Sequence, residues 1–193
     1  MNYIEQMVAE LCPRGVEFRE LGEICQIQTG KLNANKAVPN GAYPFFTCSK
    51  DVSRIDSYRW DTEALLLAGN GYLGDVKHYC GKFDAYQRTY VLTGFSSEIS
   101  PRFLYFILSN GFTEWAEKHQ KEGSVPYIVL SVVQSFRIPL PPLPIQQEIV
   151  RVLDTFSQLV RELQANLQAE LVARRKQYQY YRDQLLSFEG VRM

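Results

Sequence analysis

The spacing of apolar residues divides the chain into regions of different character. Over residues 2–12, four apolar residues recur at the three- and four-residue steps of a helix: Ile4, Met7, Val8 and Leu11. The sequence PRG that follows predicts the end of this helix. From residue 16 to about residue 93, short apolar or alternating runs are separated by Gly, Asn, Asp and Pro, which is typical of strands joined by turns.

A second helix is predicted after residue 100. Ser100 is suited to cap it and Pro101 falls in its first turn, where proline is favoured. The helix continues through FLYFILSNGFTEWAEKHQ, and a glycine-containing loop, KEGSVPY, and a last strand around SFRIPL follow. The pattern therefore predicts an α+β domain with many short strands and one covering helix.

The chain changes character at IPLPPLP. Its prolines predict a stiff, extended segment, and residues 145–187 contain neither Gly nor Pro. At the rise of an α-helix this run predicts a helix of roughly 60 Å. We therefore expect a domain over residues 1–143, with the short helix 2–12 at its start, and one long helix within residues 144–193.

The apolar residues of the long helix follow a heptad pattern. Alternating steps of four and three residues connect Ile149, Leu153, Phe156, Val160, Leu163 and Leu167. An extra step of four, which is a stutter, leads on to Leu171, Tyr178 and Leu185, with Tyr181 and Phe188 beside them. This seam needs cover, which comes either from a partner helix or from the chain's own globular domain.

Composition limits the possible functions only weakly. The chain is 46% hydrophobic and its formal net charge is zero, so any basic surface must be local. The start, MNYIEQMVAEL, lacks a basic region and a long apolar core, and no run has the length of a membrane span. We therefore expect a cytoplasmic protein without a membrane partner.

No motif predicts catalysis or a metal site. Gly69, Gly71 and Gly74 spell G-x-G-x-x-G, but the residues that follow read as a strand and hairpin rather than the helix of a dinucleotide site. A phosphate-binding P-loop and a G-x-S-x-G turn are both missing from the sequence. The four cysteines contain no C-x-x-C pair, so reduced, structural thiols are the better interpretation.

Polar and aromatic residues recur on glycine-containing loops. These loops read TGKLNANK, TCSKDVSR, GNGYLG, DAYQR and EGSVPY. Lys, Arg, Asn and Gln are the side chains that contact phosphates and base edges, whereas the alternative interpretation is of ordinary solvated loops.

Two segments of the C-terminal part carry a family resemblance. RIPLPPLPIQQEIVRVLDTF and ELVARRKQYQYYRDQLLSF resemble the DNA-specificity subunit of type I restriction–modification enzymes. Upstream, YPFFTCSKDV, ALLLAGNGYLGDV, AYQRTYVL and FLYFILSN lie where that family has its weaker motifs. The resemblance implies an α+β target-recognition domain of short twisted strands with a few helices, followed by one coiled-coil spacer helix.

The resemblance also implies a function and partners. Such a subunit is not an enzyme: it recognises double-stranded DNA and directs adenine methylation by methyltransferase (M) subunits, and a restriction (R) subunit joins for cleavage. S-adenosylmethionine, ATP and Mg are then expected on the partner subunits, and no cofactor on this chain. The alternative is a coiled-coil scaffold whose globular head binds protein rather than DNA.

Full-length members of that family contain two recognition domains and two spacer helices, whereas this chain has one of each. We therefore expect a half-length form that pairs with a second copy through its helix and reads a bipartite, palindromic site. The residues predicted at the dimer or partner interface are Leu153, Phe156, Val160, Leu163, Leu167, Gln177, Tyr178, Tyr181 and Arg182.

The polar loops supply the predicted DNA contacts. They are Lys31, Asn33, Lys36, Ser49, Lys50, Arg54, Asn70, Tyr72, Tyr86, Gln87, Arg88 and Ser124. No catalytic or metal-binding residue is predicted.

Overall fold

A computed structural model describes residues 3–188 of the chain. The chain divides into two compact units, Met1–Val150 and Arg151–Met193. This division lies seven residues after the predicted boundary, because the first turns of the long helix pack into the first unit. Residues 1–2 and 189–193 of the predicted ranges lie outside the described residues.

The elements follow the predicted order, with helices at the two ends and short strands between them. Helices are α1 (Tyr3–Leu11), α2 (Leu21–Ile24), α3 (Pro101–His119), α4 (Leu130–Gln134) and α5 (Leu143–Leu185), and Ala34–Lys36 forms a 3₁₀ turn. Strands are β1 (Phe18–Glu20), β2 (Gln26–Thr29), β3 (Tyr43–Phe46), β4 (Ser53–Ile55), β5 (Trp60–Ala68), β6 (Val76–Ala85), β7 (Thr89–Thr93) and β8 (Arg137–Pro139).

The first unit is built on a six-stranded sheet in the order β2-β7-β5-β6-β3-β4. Its described pairs are antiparallel except the pair of β3 with β6, which is parallel. The strands β1 and β8 form a separate antiparallel pair. The mixed sheet with its helices confirms the predicted α+β class.

The central strand β5 is apolar on both faces. Leu65 and Leu67 belong to the core beneath α3, whereas Ala64 and Leu66 belong to a second cluster on the other face. All four are almost fully buried, which explains why the sequence here is a continuous apolar run instead of an alternating one.

Helix α3 covers the first face of the sheet. Ser100 caps it by accepting a hydrogen bond from Phe103 N at 3.4 Å, and Pro101 is its first residue, as the sequence predicts. Its buried side chains recur at helical spacing: Phe103, Leu104, Leu108, Phe112 and Ala116. The helix therefore turns one apolar face to the sheet.

The second face is closed by the same sheet. Phe46 on β3 and Phe83 and Ala85 on β6 cluster with Leu66 and Val91. These residues come from β3, β5, β6 and β7, so four strands of the sheet enclose a small second core.

The first turn of α5 is fixed to the first unit by Gln146. This side chain is fully buried. Its Oε1 accepts a hydrogen bond from Ser100 N at 2.9 Å, and its Nε2 donates to Glu98 O at 2.7 Å and to Pro141 O at 2.8 Å. The amide thus uses both of its polar atoms to join the start of α5 to the start of α3.

In the second unit, α5 presents its heptad seam to solvent. The helix has 43 residues, which makes it about 64 Å long. Phe156, Val160, Leu163 and Leu167 are each more than half exposed in the single chain. Among residues 3–188, no helix combines the length and the apolar character that crossing a bilayer requires.

Replacing Gln146 by Leu is expected to lower the free energy of unfolding of the first unit. The substitution leaves one buried N–H and two carbonyls without partners, which costs about 2 kcal/mol or more. Urea unfolding followed by fluorescence of Trp60 and Trp115 measures this change, because both tryptophans lie in the first unit.

Gln147→Leu is the matched control, because Gln147 is an exposed glutamine on the same helical turn. It should change the free energy of unfolding by no more than about 0.5 kcal/mol. Equal effects of the two substitutions would contradict the role given to Gln146.

Candidate nucleic-acid interface

The tight turn between β6 and β7, residues 86–88, lies at the centre of a group of loops; we name it the hub turn. Three backbone hydrogen bonds of 2.9–3.0 Å join it to three other segments: Tyr86 N to Phe46 O, Gln87 N to Leu32 O, and Gly69 N to Arg88 O. The Cys48 thiol also donates to Arg88 O at 3.3 Å. Loops that are far apart in sequence therefore meet at this turn.

Two glycines permit this close approach. A Cβ at Gly30 would lie 1.9 Å from Ala85 O, and a Cβ at Gly69 would lie 2.5 Å from Arg88 O. Both contacts are with backbone, which cannot move away as a flexible side chain can. Glycine is therefore required where two backbones touch.

The G-x-G-x-x-G stretch is a strand-to-strand loop. It joins β5 to β6, and Gly71 and Gly74 have left-handed φ values of 63° and 80°. A dinucleotide site needs a helix directly after the loop, whereas β6 follows here. The glycines serve tight turns and backbone contact, as predicted.

A further loop, residues 121–127, contacts the G-x-G-x-x-G loop through Gly69 and Asn70. Asn70 pairs with Tyr127 as an isolated antiparallel bridge, and Ile128 N donates to Gly69 O at 3.0 Å. The Tyr90 hydroxyl donates to Ile128 O at 2.9 Å. Burial raises the pKa of Tyr90 above its ordinary value, which favours the protonated form that makes this bond.

Residues 29–36, 47–51, 69–74, 86–88 and 121–127 together form what we name the loop surface. These segments contain five cationic residues and two acidic ones, a net charge of +3, although the whole chain is neutral. The cations are Lys31, Lys36, Lys50, Arg88 and Lys121, and all five are exposed. The loop surface is therefore a local positive patch on a neutral protein.

Two of these cations lie over tyrosine rings. The Arg88 guanidinium is 5.1 Å from the centre of the Tyr127 ring, and Lys50 Nζ is 5.3 Å from that of Tyr72. Cation–π contacts of this kind at exposed sites contribute about 0.5–1 kcal/mol each. They bias the direction of both side chains while leaving the charges accessible.

Asp84 lies just before the hub turn and is nearly buried. Its Oδ1 accepts a hydrogen bond from Ala85 N at 2.8 Å. Burial raises the pKa of this carboxyl, while the Ala85 N–H and the charge of Arg59 act in the opposite direction. Asp84 therefore sits beneath the turn and is not one of its exposed charges.

Most of the predicted contact residues lie on segments that the hub turn brings together. They are Lys31, Asn33, Ser49, Lys50, Asn70, Tyr72, Tyr86, Gln87 and Arg88. Ser124 lies in the loop that bridges to Asn70. Their contact with DNA remains a prediction.

Lys36 is the last residue of its segment of the loop surface, and Arg54 lies outside the loop surface. Lys36 ends the 3₁₀ turn and lines a concavity of about 330 Å³ with Val38 and Ile55. The Arg54 guanidinium donates to Gly41 O and Ala42 O, both at 2.9 Å. Arg54 thus supports the turn before β3, and three of its five N–H groups remain for its predicted contact with DNA.

The sequence prediction missed two residues of the loop surface, Tyr127 and Lys121, and one residue of β6 that contacts it, Lys77. The Tyr127 ring lies beneath the guanidinium of Arg88. Lys121 pairs with Tyr127 through backbone hydrogen bonds of 2.8 and 3.3 Å. Lys77 Nζ donates a hydrogen bond to Ser49 O at 2.9 Å. Lys77 also pairs with Asp75. Lys121 and Tyr127 are the first and last residues of the KEGSVPY stretch. A cation and an aromatic residue at the ends of this loop were the sequence signal that could have identified them.

No group of three or more His, Cys, Asp and Glu side chains within residues 3–188 is arranged to hold a metal ion.

Gly69→Ala is expected to separate the loops. The added methyl group would lie 2.5 Å from Arg88 O and 2.9 Å from the Tyr90 ring, so we expect a loss of about 1–3 kcal/mol in the free energy of unfolding. Gly123→Ala is the matched control on the same surface, because its nearest contact would be an ordinary 3.5 Å. Chemical unfolding of the two variants measures the difference; equal stability would show that the contact at Gly69 is not constraining.

The chain is similar to known proteins in both sequence and fold. Residues 13–173 match the family model described as type I restriction modification DNA specificity domain. The type I restriction enzyme EcoDI specificity subunit of Escherichia coli is 42% identical over 149 residues, which are 77% of this chain and 33% of that protein. The type I restriction enzyme MpnII specificity subunit of Mycoplasma pneumoniae is 29% identical over 178 residues, 89% of this chain and 53% of that protein.

Solved structures show a similar fold. The S subunit of a type I restriction–modification system from M. genitalium superposes with a TM-score of 0.66 at 19% identity, covering 78% of this chain and 41% of that one. The HsdS subunit from Thermoanaerobacter tengcongensis gives a TM-score of 0.59 at 20% identity, with coverage of 83% and 44%. The chain thus spans a third to about half of the length of these relatives.

Proposed function

Because the chain belongs to the type I restriction–modification DNA specificity family, we propose that its loop surface binds double-stranded DNA and supplies the sequence specificity of a methylating and restricting complex. The observation that carries the proposal is the meeting of four polar loops with the hub turn, because these five segments together carry a net charge of +3. The family resemblance found in the sequence is confirmed by the matched family model.

The side chains of the loop surface suit the two kinds of contact that DNA recognition needs. Exposed lysines attract the phosphate backbone, which gives affinity without sequence information. Amide and guanidinium groups, as on Asn70, Gln87 and Arg88, form paired hydrogen bonds with base edges. Their combination on one surface supports sequence-specific binding over binding to any polyanion.

The chain acts without catalysis of its own in this proposal. Methyltransferase subunits methylate adenine and a restriction subunit cleaves, so S-adenosylmethionine, ATP and Mg bind to those partners. Support comes from the relatives, which are named as specificity subunits of type I restriction enzymes.

We further propose that α5 pairs with α5 of a second copy in antiparallel orientation. The exposed seam includes the predicted residues Leu153, Phe156, Val160, Leu163 and Leu167. Residues 143–163 of the helix carry two cationic and three acidic side chains, and residues 164–185 carry four and two, respectively. In an antiparallel pair, residues 143–163 of each helix, with a net charge of −1, would therefore lie beside residues 164–185 of the other helix, with a net charge of +2.

Such a dimer would present two loop surfaces to one duplex. Its target would be bipartite and palindromic, with half-sites about one helical turn apart, on the order of 34 Å, or somewhat more. Gln177, Tyr178, Tyr181 and Arg182 are exposed near the end of α5, where they are available to the second copy or to a methyltransferase subunit.

Lys50→Ala is expected to weaken binding to all duplexes alike. Loss of one phosphate contact should reduce the slope of log K against log salt by about 0.9. Lys82→Ala is the matched control. Lys82 Nζ also lies over a tyrosine ring, that of Tyr58, at 4.7 Å, but Lys82 is a residue of β6 that pairs with Asp61 and belongs to none of the segments of the loop surface. Fluorescence anisotropy with labelled duplexes at several salt concentrations measures the binding of both variants.

The wild-type chain provides the contradicting outcome. If it forms its dimer but shows no salt-dependent binding to DNA, alone or with the methyltransferase subunit, the scaffold interpretation would be favoured.

Replacing both Val160 and Leu163 by Asp is expected to abolish pairing while the first unit stays folded. Charged side chains at two central seam positions would have to be buried on association. The control replaces Gln158 and Ala165 by Asp, which adds the same charge on the opposite side of the heptad. For the wild type and the control, light scattering should give twice the chain mass of 22.3 kDa, whereas the seam variant should give a single chain mass. A wild type that is monomeric at micromolar concentration would refute the dimer.

A further inference from the structure

Arg88 occupies the most constrained position on the loop surface. Its carbonyl accepts hydrogen bonds from Gly69 N at 3.0 Å and from the Cys48 thiol at 3.3 Å, so its backbone is held by two other loops. Its neighbours in the hub turn bond to two further segments. The Arg88 side chain itself is exposed.

The direction of the Arg88 side chain is also set. Its guanidinium lies over the Tyr127 ring at 5.1 Å. Tyr127 is itself fixed by backbone pairing with Asn70 on one side and Lys121 on the other. A planar guanidinium stacked in this way loses less conformational entropy on binding than a free side chain does.

The other cations of the region do not share these features. Lys31, Lys50 and Lys121 present single ammonium groups, which act on DNA as point charges. Arg54 already donates from two nitrogens to Gly41 O and Ala42 O. Within residues 3–188, the Arg88 guanidinium makes neither a hydrogen bond nor an ion pair, so all of its donors are available.

We propose that Arg88 reads a guanine in the major groove through paired hydrogen bonds to N7 and O6, and that Tyr127 is the residue that positions it. A bidentate arginine–guanine pair is the contact that this geometry suits best, because guanine alone presents two adjacent acceptors in that groove. The inference rests on the proposed DNA-binding function. It adds to that function the residue that reads a base and the base that is read.

The first test replaces Arg88 by Lys, which keeps the charge but removes the paired donors. Binding of the full chain, with its methyltransferase partner, is measured against duplexes in which each half-site position is randomised. The wild type should require guanine at one position. Arg88→Lys should reduce the preference for guanine there at least tenfold, within the discrimination that one bidentate pair supplies, and leave the other positions unchanged.

Arg59→Lys is the matched control. Arg59 is another exposed arginine over an aromatic ring, 4.8 Å from Trp60, but it directly precedes β5 and belongs to none of the segments of the loop surface. Its substitution should leave the base preferences as in the wild type.

The second test separates positioning from folding. Tyr127→Leu should reduce the same guanine preference about threefold or more by removing the ring, and Tyr127→Phe should restore it because phenylalanine keeps the ring face. Thermal unfolding of each variant reports whether the loops remain assembled. If Tyr127→Leu unfolds, the comparison of Arg88→Lys with Arg59→Lys still decides the proposal.

The outcomes distinguish this proposal from the function on which it rests. A wild type without any base preference would overturn the proposed DNA recognition itself. A wild type with base preferences that Arg88→Lys retains, or loses equally at all positions, would overturn the role of Arg88 alone. A preference lost at one position that is not guanine would overturn the assignment of the base.

Discussion

The contact of backbone with backbone at the hub turn is the constraint on which the loop surface depends. The carbonyls of Ala85 and Arg88 occupy the space that a Cβ of Gly30 or Gly69 would fill. Because these contacts are direct, hydrogen bonds of the main chain hold the loops in register at the hub turn. The positive patch exists because five short segments meet there, although none of them is strongly basic by itself.

The sequence predicted the helices and strands better than the contacts between the loops that join them. Local signals identified the start of α3 at Ser100 and Pro101 and the long helix after the prolines, because capping and helix breaking are decided within a few residues. The convergence of loops depends on pairings such as Leu32 with Tyr86 and Asn70 with Tyr127, whose partners are more than fifty residues apart. No periodicity reports contacts over such distances, and therefore Tyr127 was missed.

The structural roles of Arg54 and Gln146 were missed for the same reason. Arg54 was grouped with the DNA contacts by residue type, whereas its nitrogens donate to the carbonyls of Gly41 and Ala42. No signal in the sequence singled out Gln146, which is fully buried with three hydrogen bonds to the chain around it. In both cases a polar side chain satisfies backbone groups, which composition cannot distinguish from a surface contact.

The use of main-chain groups at the loop junctions has a consequence for how specificity can change over evolutionary time. The bonds from the amides of Tyr86, Gln87 and Gly69 do not depend on which side chains the neighbouring exposed positions carry. Substitutions at positions such as 33, 50 and 87 can therefore alter the chemistry of the exposed loop surface without disturbing the main-chain bonds that hold it. Under the proposed function, a few substitutions at exposed positions would give the protein a new DNA target while its scaffold stays unchanged.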